Sequence, residues 1–173
     1  MTRKVLFAVV AFTLIVPAVF AQDKSTRTDG QFVSQAIQTF NLDSVSPTPI
    51  QAEEMGPYYN FYPAVKNGKT VGYLFWARDL RVANHWEDVI LLVNNKNGGA
   101  VLEDFWISHN DHHKNLGEAA THKMFSGMTY TSNWNESVDT VSGSTISSYR
   151  LFGEIKTALF VFQKYVIDAD LLK

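Results

Sequence analysis

The sequence predicts an α+β domain: an antiparallel sheet of hairpins packed with helices, with a long C-terminal helix following a hydroxyl-rich turn. Three observations carry that prediction. Segments rich in aromatic and β-branched residues succeed one another from Tyr58 to Ser108, separated by turn signals rather than helical stretches. Apolar residues at helical spacing precede this region and follow it. The 173 residues, 46% hydrophobic and 18% charged, have an ordinary globular balance and leave room for one core.

The first element is a leader. Arg3 and Lys4 form a basic start, Val5–Val16 is apolar apart from Thr13, and Pro17 ends the run. Val19 and Ala21 then supply the small residues that signal peptidase needs. The run falls short of the roughly 20 residues of a membrane span. Residues 1–21 are therefore read as a signal peptide cut before Gln22, leaving a periplasmic or extracellular protein. An uncleaved N-terminal anchor is the alternative; the absence of cysteine excludes a lipoprotein.

Residues 22–57 read as an N-terminal helix and a proline-containing connection. Asp29 is placed to cap a helix over Gln31–Phe40, where Phe32, Val33, Ala36, Ile37 and Phe40 recur at helical spacing. Asn41–Pro57, with Pro47, Pro49 and Pro57, reads as a loop or winding connection.

The main domain spans 58–173. Tyr58–Val65 and Thr70–Ala77 flank Asn67-Gly68 as a hairpin, and Asp88–Val93 and Ala100–Ser108 flank the turn-rich Asn94–Gly99 as a second. Phe105 and Ile107 alternate with Trp106 and Ser108, which predicts one buried face. A polar, histidine-rich turn at His109–Lys114 precedes a short helix near Leu116–Phe125, and Ser126–Glu136 is loop-like. The last helix runs from about Ile146 to Val166, with Leu151, Ile155, Ala158, Leu159, Phe162 and Tyr165/Val166 as its apolar stripe.

Composition narrows the chemistry. A net charge of −2 offers no electrostatic reason for nucleic acid or an anionic membrane surface as partner. With no cysteine, disulfides, thiolate metal sites, iron–sulfur clusters and attached c-type haem are excluded. Redox chemistry would need a cofactor held by other groups.

Asp139-Thr-Val-Ser-Gly-Ser-Thr-Ile-Ser-Ser148 places a hydroxyl-rich turn directly ahead of the last helix. Small residues let an anion approach the backbone, and the first amides of a helix are unpaired donors carrying partial positive charge, a natural phosphate seat. Thr145, the last hydroxyl before the apolar periodicity, stands at its mouth. A phosphate there is bound by hydrogen bonds or joined covalently. Taken alone, Ser-Gly-Ser-Thr is also an ordinary helix cap.

The stretch resembles the flavin-attachment motif of the FMN-binding domain family, in which an Asp and then Ser-Gly-Ala-Thr lead into a helix. That family includes the covalently flavinylated components of sodium-translocating NADH:quinone oxidoreductase and of the Rnf electron-transport complex. Asp139 matches the leading acid and Ser142-Gly143-Ser144-Thr145 the core, with Ser144 in place of alanine. The resemblance extends loosely over residues 58–166. It implies that Thr145 accepts FMN as a phosphoester, delivered from FAD by a separate magnesium-dependent flavin transferase. It further implies that Asp139 and Gly143 are read by that transferase. The implied protein is an electron carrier rather than a self-sufficient enzyme, relaying electrons between redox partner proteins, membrane-bound ones among them.

His109-Asn110-Asp111-His112-His113-Lys114-Asn115-Leu116-Gly117 is the second constellation. Leu116-Gly117 resembles the end of the family's Glu-Thr-Pro-Gly-Leu-Gly loop, whose Thr-Pro-Gly portion is missing here. The resemblance implies Leu116 on the isoalloxazine face and Gly117 close to the ring or ribityl chain. The alternatives are a metal site at His109, Asp111, His112 and His113, or a solvated turn. His122 reads as a surface residue, and His85 offers no mechanism.

Aromatics are dense at Tyr58, Tyr59, Phe61 and Tyr62 and again at Tyr73, Phe75 and Trp76. Alternation sets Tyr73 and Phe75 on one sheet face and Leu74 and Trp76 on the other. They are read as core rather than as flavin contacts; Trp134, just ahead of the phosphate turn, is the better ring-contact candidate. The sequence thus supports an exported protein carrying covalent FMN. Its competitors are a non-redox periplasmic binding or assembly protein on the same scaffold and a metal-binding module at His109–His113.

Overall fold

The computed structural model describes residues 27–82, 85–108, 118–135 and 145–172, with 81, 82, 85 and 145–149 described by backbone alone. Helix α1 spans Asp29–Phe40. Its cap is Thr28 rather than Asp29: the Thr28 hydroxyl accepts from the Gln31 amide while the Gln31 side chain accepts from the Thr28 amide. This reciprocal pairing satisfies two donors that a lone carboxylate one residue on could not reach. Asp29 instead binds Arg78. Asn41 closes the helix in the left-handed conformation, its N–H on the Ile37 carbonyl.

The proline-containing connection is more ordered than a loop. It supplies strands β1 (Ser44–Val45) and β2 (Ile50–Gln51) and a 3-10 turn at Glu53–Met55. Both strands pair antiparallel with β3 (Asn60–Lys66), in register Ser44↔Val65 and Ile50↔Phe61. Strands β4 (Lys69–Val82), β5 (His85–Lys96) and β6 (Gly99–Ile107) complete an antiparallel six-stranded sheet of order β1-β3-β4-β5-β6, with β2 also on β3.

The β3–β4 and β5–β6 hairpin turns are each two residues long. Asn67-Gly68 and Asn97-Gly98 all have positive φ, between 51° and 81°, the turn whose twist matches the strands it joins. The second turn is therefore shorter than the polar run from Asn94 suggests. Asn94 stays in the ladder because its amide donates to the Val71 carbonyl and the Glu103 carboxylate.

Among the described residues the other helices are α2 (Ala119–Phe125) and α3 (Thr145–Phe162), the latter continuing into a π-helical turn at Gln163–Ile167. β5 is an interior strand, held between β4 and β6, and its run Val89-Ile90-Leu91 is wholly buried. Val89 and Leu91 join Phe75, Phe105, Ile155, Leu159 and Phe162 in the larger core beneath α2 and α3. Ile90 joins Leu74, Phe32 and Ala36 in a smaller core beneath α1. The predicted alternation in β4 is therefore the boundary between two cores. The predicted stripe of α3 is buried from Leu151 to Val166, with Tyr165 at its margin. At the outer edge of β6, Leu102 exchanges backbone hydrogen bonds with Gly127 and Met128, which covers an otherwise open strand.

Candidate functional site

Thr145 is the first residue of α3, so its backbone opens a helix of 18 residues. The amides of that first turn lack intrahelical acceptors and suit an anion. Asp139, Ser142, Gly143 and Ser144, Leu116 and Gly117, and His109, Asp111, His112 and His113 all lie outside the described residues. Among the described residues no group of three or more histidines and carboxylates is placed to hold a metal.

Two flanking expectations change. Trp134 is a core residue: 5% exposed, it stacks on Phe125 with centroids 5.9 Å apart and lies 5.8 Å from Phe152. Its indole N–H donates to the Thr129 carbonyl at 2.8 Å. With its rings packed and its donor satisfied, it is not free to face a flavin. His122 is half-buried rather than a plain surface residue. It stacks on Phe105 at 4.4 Å, and its Nδ1 lies 2.6 Å from the Asp104 carboxylate.

The described residues enclose a cleft of about 640 Å³ where β3 begins and β4 runs on. The β3–β4 register ends at Tyr62↔Leu74, while β4 continues to Val82. A bulge between Ala77 and Leu80 turns Arg78 and Asp79 out of the ladder, with Asp79 at φ 56° and its N–H 3.3 Å from the Asp88 carboxylate. Asp88 is itself buried, with Arg27 Nε at 3.1 Å.

Aromatic rings wall this cleft on both sides. Tyr59 stacks on Phe75 at 5.5 Å and 12°. Tyr62 stacks on Trp76 at 4.1 Å, and Trp76 stacks on Phe32 at 5.7 Å. Tyr58 stands at the cleft 83% exposed. Thus the first aromatic cluster divides. Phe61 is core, as expected, while Tyr58, Tyr59 and Tyr62 border open space.

Glu154, from α3, supplies a carboxylate to the same cleft. Burial holds it above the ordinary carboxylate range. Burial first, and then the Glu154 charge, raises the Tyr59 phenol. Burial also raises Tyr62, with Asp29 adding to the effect and Arg78 opposing it. Sequence reasoning passed over Glu154, although the signal was there. It lies three residues after Leu151 and four before Ala158, a charged residue on the border of an apolar stripe.

Compared with protein-family models, curated proteins and solved structures, the chain matches none.

Proposed function

We propose that this is an exported flavoprotein that carries FMN on Thr145 through a phosphoester and relays electrons between redox partners. The observation that carries the reading is the run Asp139 to Thr145 placed directly ahead of a helix whose first residue is Thr145. The helix start offers amide donors and a partial positive charge for a phosphate diester. A threonine hydroxyl is a weak nucleophile, so activation falls to a separate flavin transferase. This chain supplies access through Gly143 and its small neighbours. When bound, the flavin supplies one- and two-electron chemistry, and a covalent tether keeps it from diffusing away outside the cytoplasm. Export rests on the leader; among the described residues no helix is long and apolar enough to cross a membrane.

The deciding experiment is co-expression with a flavin transferase. Intact mass should show one added FMN group, with fluorescence that survives denaturing electrophoresis, and both should vanish in Thr145→Ala. An unmodified, colourless protein in the presence of an active transferase overturns the reading. A second reading, a non-redox periplasmic binding protein, is favoured by the aromatic cleft at Glu154, which needs no flavin to exist.

A further inference from the structure

We propose that the cleft at the start of β3 binds a small aryl-alkyl amine, its ammonium paired with Glu154 and its ring against Tyr59 and Tyr58. The inference is independent of whether FMN is attached to Thr145.

Size comes first. About 640 Å³ lies within the range of roughly 300–1,000 Å³ typical of small-molecule sites. The walls set the shape of the ligand. One face of Tyr59 is covered by Phe75, and the half-buried phenol borders the cleft. Tyr58 projects from the segment before β3 with most of its ring in water, a placement that core packing does not explain. A flat apolar body resting on these rings removes their surface from water.

Charge then selects the head group. Arg78 is the one basic residue among the described lining residues, and Asp29 holds its guanidinium. Arg78 is further committed to the Phe32 ring, 5.1 Å from its centroid. Asp79 adds a second carboxylate on the cleft border. Glu154 has no hydrogen-bond or ion-pair partner among the described residues, although it is half-buried. A carboxylate withdrawn from water without a counterion is unfavourable, and an entering ammonium relieves it while donating charge-assisted hydrogen bonds. A cation beside the tyrosine faces gains further attraction from their π-systems. A neutral ring takes only the wall contacts, and an anion is repelled.

The test is calorimetric titration of the full-length protein, made without flavin transferase. The probes are phenethylamine and its neutral counterpart 2-phenylethanol. The amine should bind at least about tenfold more tightly than the alcohol. Glu154→Gln should abolish that preference and leave the alcohol unchanged. Tyr58→Ala, at an exposed position that the fold does not need, should weaken both probes. No binding of either at millimolar concentration, or an amine preference that persists in Glu154→Gln, overturns the proposal. Amine binding by a chain that also stays unmodified when co-expressed with an active flavin transferase supports this site and removes the flavin reading. FMN uptake by a chain that ignores the amine does the reverse.

Discussion

Glu154 occupies a position that stability alone would not choose. Burial lifts its pKa above the ordinary 4.5, so the ionised carboxylate is less favourable in the folded protein than in the unfolded chain. The sign follows from proton counting. Between 4.5 and the raised value the folded state binds more protons than the unfolded one, so stability falls as pH rises through that window. Below it both states are protonated and the penalty is gone. Tyr59, whose phenol is raised partly by Glu154, reports the same field. Glu154→Gln removes the charge and keeps the shape. Its Tm should exceed the parent's at neutral pH, and the gap should close as pH falls toward 4.5. Equal Tm values across that range would show that Glu154 is stabilised by a partner in the fold. A raised Tm with lost amine binding would mark a residue kept for function at a cost in stability.

At the scale of elements, one glutamine joins two ends of the fold. Gln163 opens the π-helical turn after α3 and is buried. Its Oε1 accepts the Ala100 amide at 2.7 Å, and its Nε2 donates to the Gly98 carbonyl at 3.0 Å and the Asp168 carboxylate at 2.6 Å. The β5–β6 turn is thereby fastened to the C-terminal helix. Gln163→Leu leaves the Ala100 and Gly98 groups without these partners and should cost about 1–3 kcal/mol, read by urea denaturation. Faster hydrogen exchange at the Ala100 amide should accompany the loss; unchanged exchange would refute the clamp. The neighbouring Lys164–Asp168 pair is exposed and adds little. Local signals of this kind divide into legible and hidden. Asn67-Gly68 and Asn97-Gly98 announce their turns because the conformation they need is a property of the two residues themselves. The α3 stripe is legible because its period is local. β1 and β2 were hidden. Each is two residues long and exists only through pairing with β3, which neighbouring prolines and short length disguise. Gln163 was hidden too, since Ala100 and Gly98, the groups it clamps, lie more than sixty positions away.

For the molecule as a whole, the question is whether three layers unfold as one. The run proposed as a phosphate turn stands out in the sequence because its residues are consecutive. The cleft could not, because Asp29, Tyr59, Arg78 and Glu154 come from different segments that meet only through the fold. Strands β4 and β5 serve both cores: Leu74 and Ile90 face α1, while Phe75 and Leu91 face α3. Phe32 is fully buried on the α1 side, stacked on Trp76, and Leu159 is fully buried on the α3 side. Truncating either leaves a cavity. Phe32→Ala should cost about 3–5 kcal/mol and Leu159→Ala about 2–5 kcal/mol. Because the same strands carry both cores, loss of one layer exposes the back of the other, and each variant should retain a single transition. Urea unfolding followed by tryptophan fluorescence tests this, since Trp76 and Trp106 report the α1 side and Trp134 the α3 side. Coincident fluorescence and far-ultraviolet circular dichroism curves are expected in both variants. A separate early fluorescence change in Phe32→Ala would show that α1 detaches from an intact sheet. The cleft would then lose Asp29, and with it the counterion of Arg78, before the rest of the protein unfolds.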